Sequence, residues 1–179
     1  MSNILVILAD GFEEAEAIVT IDVLRRLKFN VCVTSLNEGL EVLSIHEIKI
    51  IADKKLSDCK NEKFDAIVLP GGMPGASNLK NSDDVIQIVQ KAHTENAFVC
   101  AICAAPIVLS KAGILDDTKF TAYPGFERYF KTLPSSSMVV KDKNIITAKG
   151  PGAAFGFALE IANALGENTS QLEDAMFLR

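Results

Sequence analysis

The stretch Asn3-Ile4-Leu5-Val6-Ile7-Leu8-Ala9, residues 3–9, is a continuous run of β-prone apolar side chains. It is too short for a helix and lacks the alternation of a sheet with one wet face, so it predicts a strand buried on both sides. Strands of that kind belong to parallel sheets covered by helices. Residues 13–27 follow with apolar side chains at 17, 18, 21, 24 and 27 behind an acidic first turn, the spacing of a helix laid on the sheet. Further strands are predicted at 31–36, 64–69 and 98–102, the last in the interior of the sheet, and a short one near 48–51 within a polar excursion at 38–60. Residues 83–94 have helical spacing with Ser82 or Asp83 as cap. Pro106 opens a helix over 106–112 that Gly113 stops. A late hairpin is read at 137–140 and 144–148 around Lys141-Asp142-Lys143, then helices at 153–165 and near 171–177. The prediction is one α/β domain over residues 1–179, a three-layer sandwich with a mostly parallel central sheet.

Composition agrees with that fold and narrows the function. A chain of 179 residues with 49% apolar and 23% charged side chains has enough hydrocarbon for one large core. The net charge of −5 leaves no global positive field for a phosphate backbone or an anionic membrane, so neither is an expected partner. Apolar runs fall short of the ~20 residues of a bilayer span, and acidic residues follow the first run too soon for a signal peptide. Four cysteines, at 32, 59, 100 and 103, are few for a disulfide scaffold, and a reducing cytoplasm is the expected compartment. Without a secretory signal, Asn168-Thr169-Ser170 is a chance match to a glycosylation acceptor.

In an open parallel sheet, ligands bind beyond the carboxyl ends of the strands. Three loops are delivered there: Asp10-Gly11-Phe12-Glu13-Glu14-Ala15-Glu16, Pro70-Gly71-Gly72-Met73-Pro74-Gly75 and Cys103-Ala104-Ala105-Pro106. Cys103 sits at a strand-to-helix turn among small residues, where the first N–H groups of the helix favour thiolate and a substrate has room. A free cysteine is also ordinarily a small buried hydrophobe, and position alone leaves both roles open. Glu13 and Glu14 are explained as dipole-complementing surface residues, whereas a buried, protonated Glu16 would be able to hydrogen-bond a thiolate and pass a proton to a reacting carbonyl. Gly71 and Gly72 make either a plain tight turn or, with the Ala104 N–H, a set of oxyanion donors. No phosphate-loop pattern is present. Cys100 and Cys103 spell C-x-x-C, but Cys100 should lie inside its strand, which argues against thiol exchange between them. His46 and His93 lack ligand-spaced neighbours, so no metal and no cofactor is expected.

Read together, ILVILADGFEEAEA at 4–17, IDVLRR at 21–26, FDAIVLPGGMPGASNL at 64–79, AICAAP at 101–106 and KGPGAAFGFALEI at 149–161 resemble the ThiJ/PfpI superfamily, in its branch of DJ-one-type deglycases. The resemblance spans nearly the whole chain. It implies a flavodoxin-like fold, a homodimer, Cys103 as nucleophile, Glu16 as the acid that holds it, and Gly72 and Ala104 as oxyanion donors. It also implies an interface through the first helix at Glu14, Ile18, Asp22 and Arg26. Where that branch often has a histidine near the cysteine, this chain has Tyr123, so a histidine relay is not implied. Where a protease-like branch has histidine directly after the cysteine, Ala104 stands here. The expected activity is a glutathione-independent glyoxalase or deglycase acting on methylglyoxal-type dicarbonyls, free or as early adducts on proteins. The alternative is a redox sensor or stress-protective protein working through oxidation of Cys103.

Overall fold

The computed structural model describes residues 2–59 and 62–178. Strand β1 (Asn3–Leu8) has no solvent-exposed side chain from Ile4 to Leu8, because helices cover both faces of the sheet around it. Next come α1 (Glu14–Arg26), β2 (Asn30–Ser35), β3 (Glu41–Leu43), β4 (Lys49–Ile51), β5 (Lys54–Lys55) and β6 (Ala66–Leu69). They are followed by α2 (Gly75–Lys80), α3 (Asp83–Thr94), β7 (Phe98–Ile102), α4 (Pro106–Lys111), β8 (Val139–Asp142), β9 (Ile145–Ala148), α5 (Ala154–Ala164) and α6 (Ser170–Ala175). Seven strands form one sheet in the order β5-β2-β1-β6-β7-β9-β8, parallel except for the β8–β9 pair. Helices α1 and α5 pack together, and α2, α3 and α4 pack with one another, giving a helical layer on each side of the sheet. This is the flavodoxin-like sandwich expected from the alternation of strand and helix.

Several details differ from the sequence reading. Helix α2 lies where only a loop was read: Ala76 and Leu79 are buried beneath it, and the Asn78 amide donates to the Asp10 carbonyl at 3.0 Å. The excursion at 38–60 holds a separate β3–β4 hairpin, the edge strand β5 and a 3₁₀ turn at Leu56–Cys59; its last residue, Lys60, lies outside the described residues. The late hairpin is shifted. Asp142 pairs with Ile145, so the turn is Lys143-Asn144 with Lys143 in the left-handed region, and Asp142 is held by the Lys119 N–H at 2.8 Å. Ile18, read as a core position, is 42% exposed. Among the described residues, no helix is long and apolar enough to cross a membrane.

Candidate functional site

The carboxyl ends of β1, β6 and β7 bring the three predicted loops into contact. Cys103 leaves β7 at φ 63, in the left-handed region where a non-glycine side chain is strained. Two backbone hydrogen bonds over-determine that bend: its N–H donates to the Ala148 carbonyl at 2.8 Å, and its carbonyl accepts from the Tyr123 N–H at 2.9 Å. The bend turns the sulfur out of the sheet plane, yet only 8% of the residue is exposed.

Glu16, in the first turn of α1, is fully buried, and its Oε2 accepts from the Gly71 N–H at 2.7 Å. Its Oε1 has no hydrogen-bond partner among the described residues. The carboxyl faces the Cys103 thiol, and the Gly72 and Ala104 N–H groups also lie against the sulfur. Burial pushes the Glu16 carboxyl up from 4.5 to about 7, against the opposing pull of its bonds to Cys103 and Gly71. Burial and the Glu16 charge likewise push the Cys103 thiol up, while the Gly72 and Ala104 amides pull it down. The sequence reading set the helix end in favour of thiolate, and the Gly72 and Ala104 N–H groups do act in that direction, with burial opposing them. The helix that follows has six residues, and Glu16 is the acid–base group that faces the sulfur.

Gly71 has a role that the sequence reading, which named Gly72 as the donor, left open. Its N–H is used by Glu16, so of the glycine pair only Gly72 faces the sulfur. A Cβ on Gly71 would lie 2.6 Å from the Cys103 Cβ and 2.7 Å from Glu16 Oε2. The glycine spacing therefore sets how closely acid and thiol approach. Gly71→Ala is expected to fold but to lose at least ~100-fold in reaction of Cys103 with an aldehyde substrate, because displacing reacting groups by about an ångström costs that much. Retained turnover in a steady-state assay would show that the spacing is not needed. Gly72 in turn has φ +87, and a Cβ there would meet the Glu13 N at 2.4 Å, which keeps the 70–75 loop flush against the 10–13 loop.

The other candidates separate cleanly. Cys100 is buried in mid-sheet, paired with Val68 and Ile146, and burial pushes its thiol up, so it forms no exchange pair with Cys103. Tyr123 is 47% exposed and its ring lies over Gly150, at the rim of a cavity with Met138 and Lys149. His46 is exposed, as a surface histidine, and its Nδ1 lies 2.6 Å from Glu14 Oε1. With Glu13 these two bring one ligand atom each within 4.8 Å of one another. Only the β3–β4 hairpin folding back on α1 creates this group, and no local spacing announces it. His93 is half-buried, with no partner for its Nδ1 among the described residues.

Residues 2–164 match the DJ-1/PfpI family. The chain belongs to that family. Among its relatives, the protein dj-1beta of Drosophila melanogaster is 40% identical over 164 residues, covering 90% of this chain and 88% of its own. The Parkinson disease protein 7 homolog of Danio rerio is 35% identical over 184 residues, covering 98% and 96%. The solved structure of oxidized DJ-1 from Toxoplasma gondii superposes with a TM-score of 0.95 at 31% identity, covering 99% of this chain and 98% of that one. Family membership covers all three loops that converge on Cys103, from the Glu16 turn to the Ala104 amide.

Proposed function

We propose that this DJ-1/PfpI family chain is a cysteine-dependent glyoxalase or deglycase that needs no glutathione and acts on methylglyoxal-type dicarbonyls or their early adducts on proteins. The observation that carries the reading is the buried carboxyl of Glu16, poised near neutrality, facing the thiol of Cys103. As the sulfur attacks the aldehyde carbon, its proton passes to the Glu16 carboxylate and a hemithioacetal forms. The Gly72 and Ala104 N–H groups, already against the sulfur, are placed to donate to the developing oxyanion. Glu16 then moves a proton between the oxygen and the adjacent carbon, and hydrolysis of the resulting thioester releases lactate. No metal or cofactor enters these steps. A reducing compartment such as the cytoplasm suits a free thiol. The test is lactate formation from methylglyoxal by the purified protein without added thiol, and an absence of lactate would overturn the reading.

The alternative, a redox sensor or protective protein working through Cys103, is favoured by the same carboxyl. A protonated Glu16 donates to a sulfinate oxygen as readily as to a carbonyl. Its relative from Toxoplasma gondii was solved in an oxidized form. The two uses share one thiol and differ in whether oxidation or an aldehyde consumes it.

A homodimer is the proposed assembly. Ile18 on α1 and Leu43, Ile45, Ile48 and Ile51 around the β3–β4 hairpin are all at least 40% exposed, an unusual density of bare hydrocarbon. Ile18 lies one turn beyond Glu14, whose carboxylate reaches His46 of the hairpin, which brings α1 and the β3–β4 hairpin together at that end. Asp22 and Arg26, joined by an ion pair at 2.8 Å, flank it as a polar rim. Ile18→Asp is expected to convert the dimer to monomer in sedimentation velocity, whereas an unchanged dimer would place the interface elsewhere.

A further inference from the structure

Two thiols outside the site described above meet at the opposite end of the sheet. Cys32 lies near the start of β2, paired with Leu5, and Cys59 ends the 3₁₀ turn that follows β5. Their side chains are close enough to interact directly, and the Cys59 thiol also donates to the Lys55 carbonyl at 3.7 Å. Cys32 is half-buried and lines an open hollow of about 520 Å³ with Asp53, Lys54 and Glu62. Cys59 is 2% exposed and lies beneath it, in a neighbouring hollow that shares Glu62, Lys63 and Phe64. One sulfur is therefore open to a small solute, and the second waits directly behind it.

We infer that Cys32 and Cys59 are a second reactive site, a dithiol that hydrogen peroxide converts to an intramolecular disulfide. The division of labour follows from the surroundings. Burial pushes both thiols up, Cys59 to about 11, and the Lys54 ammonium acts against burial at both, but Cys32 alone lines the open hollow while Cys59 is 2% exposed. Cys32 attacks first. Its sulfur takes one peroxide oxygen, the O–O bond breaks, and the departing hydroxide leaves as water, giving a sulfenic acid. The Cys59 sulfur displaces the second water, so two thiols lose two electrons and two protons while one peroxide becomes two waters. Closing to an S–S bond of ~2.05 Å requires the edge segment to move the Cys59 sulfur onto that of Cys32. That segment is a short edge: β5 pairs with β2 through Thr34–Lys54 and Ser35–Lys55, and the Asp53 N–H donates to the Val33 carbonyl at 2.8 Å. The bond would tie the sheet edge to β2, far from Cys103 and independent of its chemistry.

The test uses the wild-type protein, treated with hydrogen peroxide under native conditions, then alkylated in denaturant and mapped without reduction, beside Cys59→Ser. The expected result is a Cys32–Cys59 linked peptide, lost on adding dithiothreitol, with two thiols withdrawn from alkylation whatever happens at Cys103. In Cys59→Ser the link disappears and Cys32 is recovered as an oxygen adduct. Full alkylation of Cys32 and Cys59 after Cys103 has been oxidised would overturn the inference, as would linkage of either to Cys103 or across protomers.

Discussion

Replacing Cys103 with alanine is expected to abolish lactate formation from methylglyoxal, lowering kcat/KM by at least ~10⁴-fold, because no other group can form the covalent adduct. Cys100 lies in the sheet interior and Cys32 and Cys59 at its far end, so no neighbouring thiol can substitute. Serine should fare little better, since its hydroxyl is a far weaker acid than a thiol and Glu16 cannot draw its proton. The fold should hardly notice either change. The strained φ at residue 103 is fixed by backbone bonds to Ala148 and Tyr123, which neither substitution touches, and the side chain is small. Stability within about 1 kcal/mol of wild type is expected by thermal unfolding. Activity in Cys103→Ala above a tenth of wild type would move the chemistry to another residue, and Cys100→Ala serves as the control that should leave turnover intact.

What the sequence made legible was whatever a short window carries by itself. The apolar run ending at Leu8, the strand Phe98–Ile102 and the capped helix Asp83–Thr94 each contain their own pattern, and Ser82 does accept from the Val85 N–H as its cap position demands. The convergence of Glu16, Gly72 and Cys103 followed from a topological rule plus the resemblance, since residues so far apart in the chain carry no local sign of contact. Other features were invisible for the same reason. The Gly71 N–H belongs to Glu16 because α1 directs a buried carboxylate at it, and nothing in Pro70-Gly71-Gly72 says which glycine does so. Ile18 fits the helical stripe yet lies on its edge, and its 42% exposure depends on what packs beside α1 rather than on the local period. Helix α2 lacks any side-chain cap and is too short to show a period, so burial of Ala76 and Leu79 rather than propensity sustains it. A helix end beside Cys103 is readable in sequence, whereas the burial of its thiol by distant segments is not.

Glu16→Gln should separate ionisation from catalysis. In the wild type, the Glu16 charge is among the causes that push Cys103 up, so above pH 7, where that carboxyl is ionised, the amide variant should titrate its thiol at lower pH. Thiolate absorbance against pH reads this directly, with Cys103→Ala subtracted as the blank. Turnover should nevertheless fall by ~10²–10⁴-fold, the usual contribution of a positioned acid–base group, because glutamine cannot carry the proton between oxygen and carbon. Stability moves the other way. A carboxyl raised from 4.5 to about 7 stays protonated in the fold while the unfolded chain ionises, so wild-type stability drains away as pH climbs between those two values. Glutamine keeps an oxygen for the Gly71 N–H without that liability and should be more stable above pH 7 by up to about 3 kcal/mol. A variant that ionises Cys103 as the wild type does, or keeps its turnover, would show that the carboxyl beside the sulfur is a bystander. A thiol that ionises more easily in a slower enzyme is the combination that only a proton-carrying Glu16 produces.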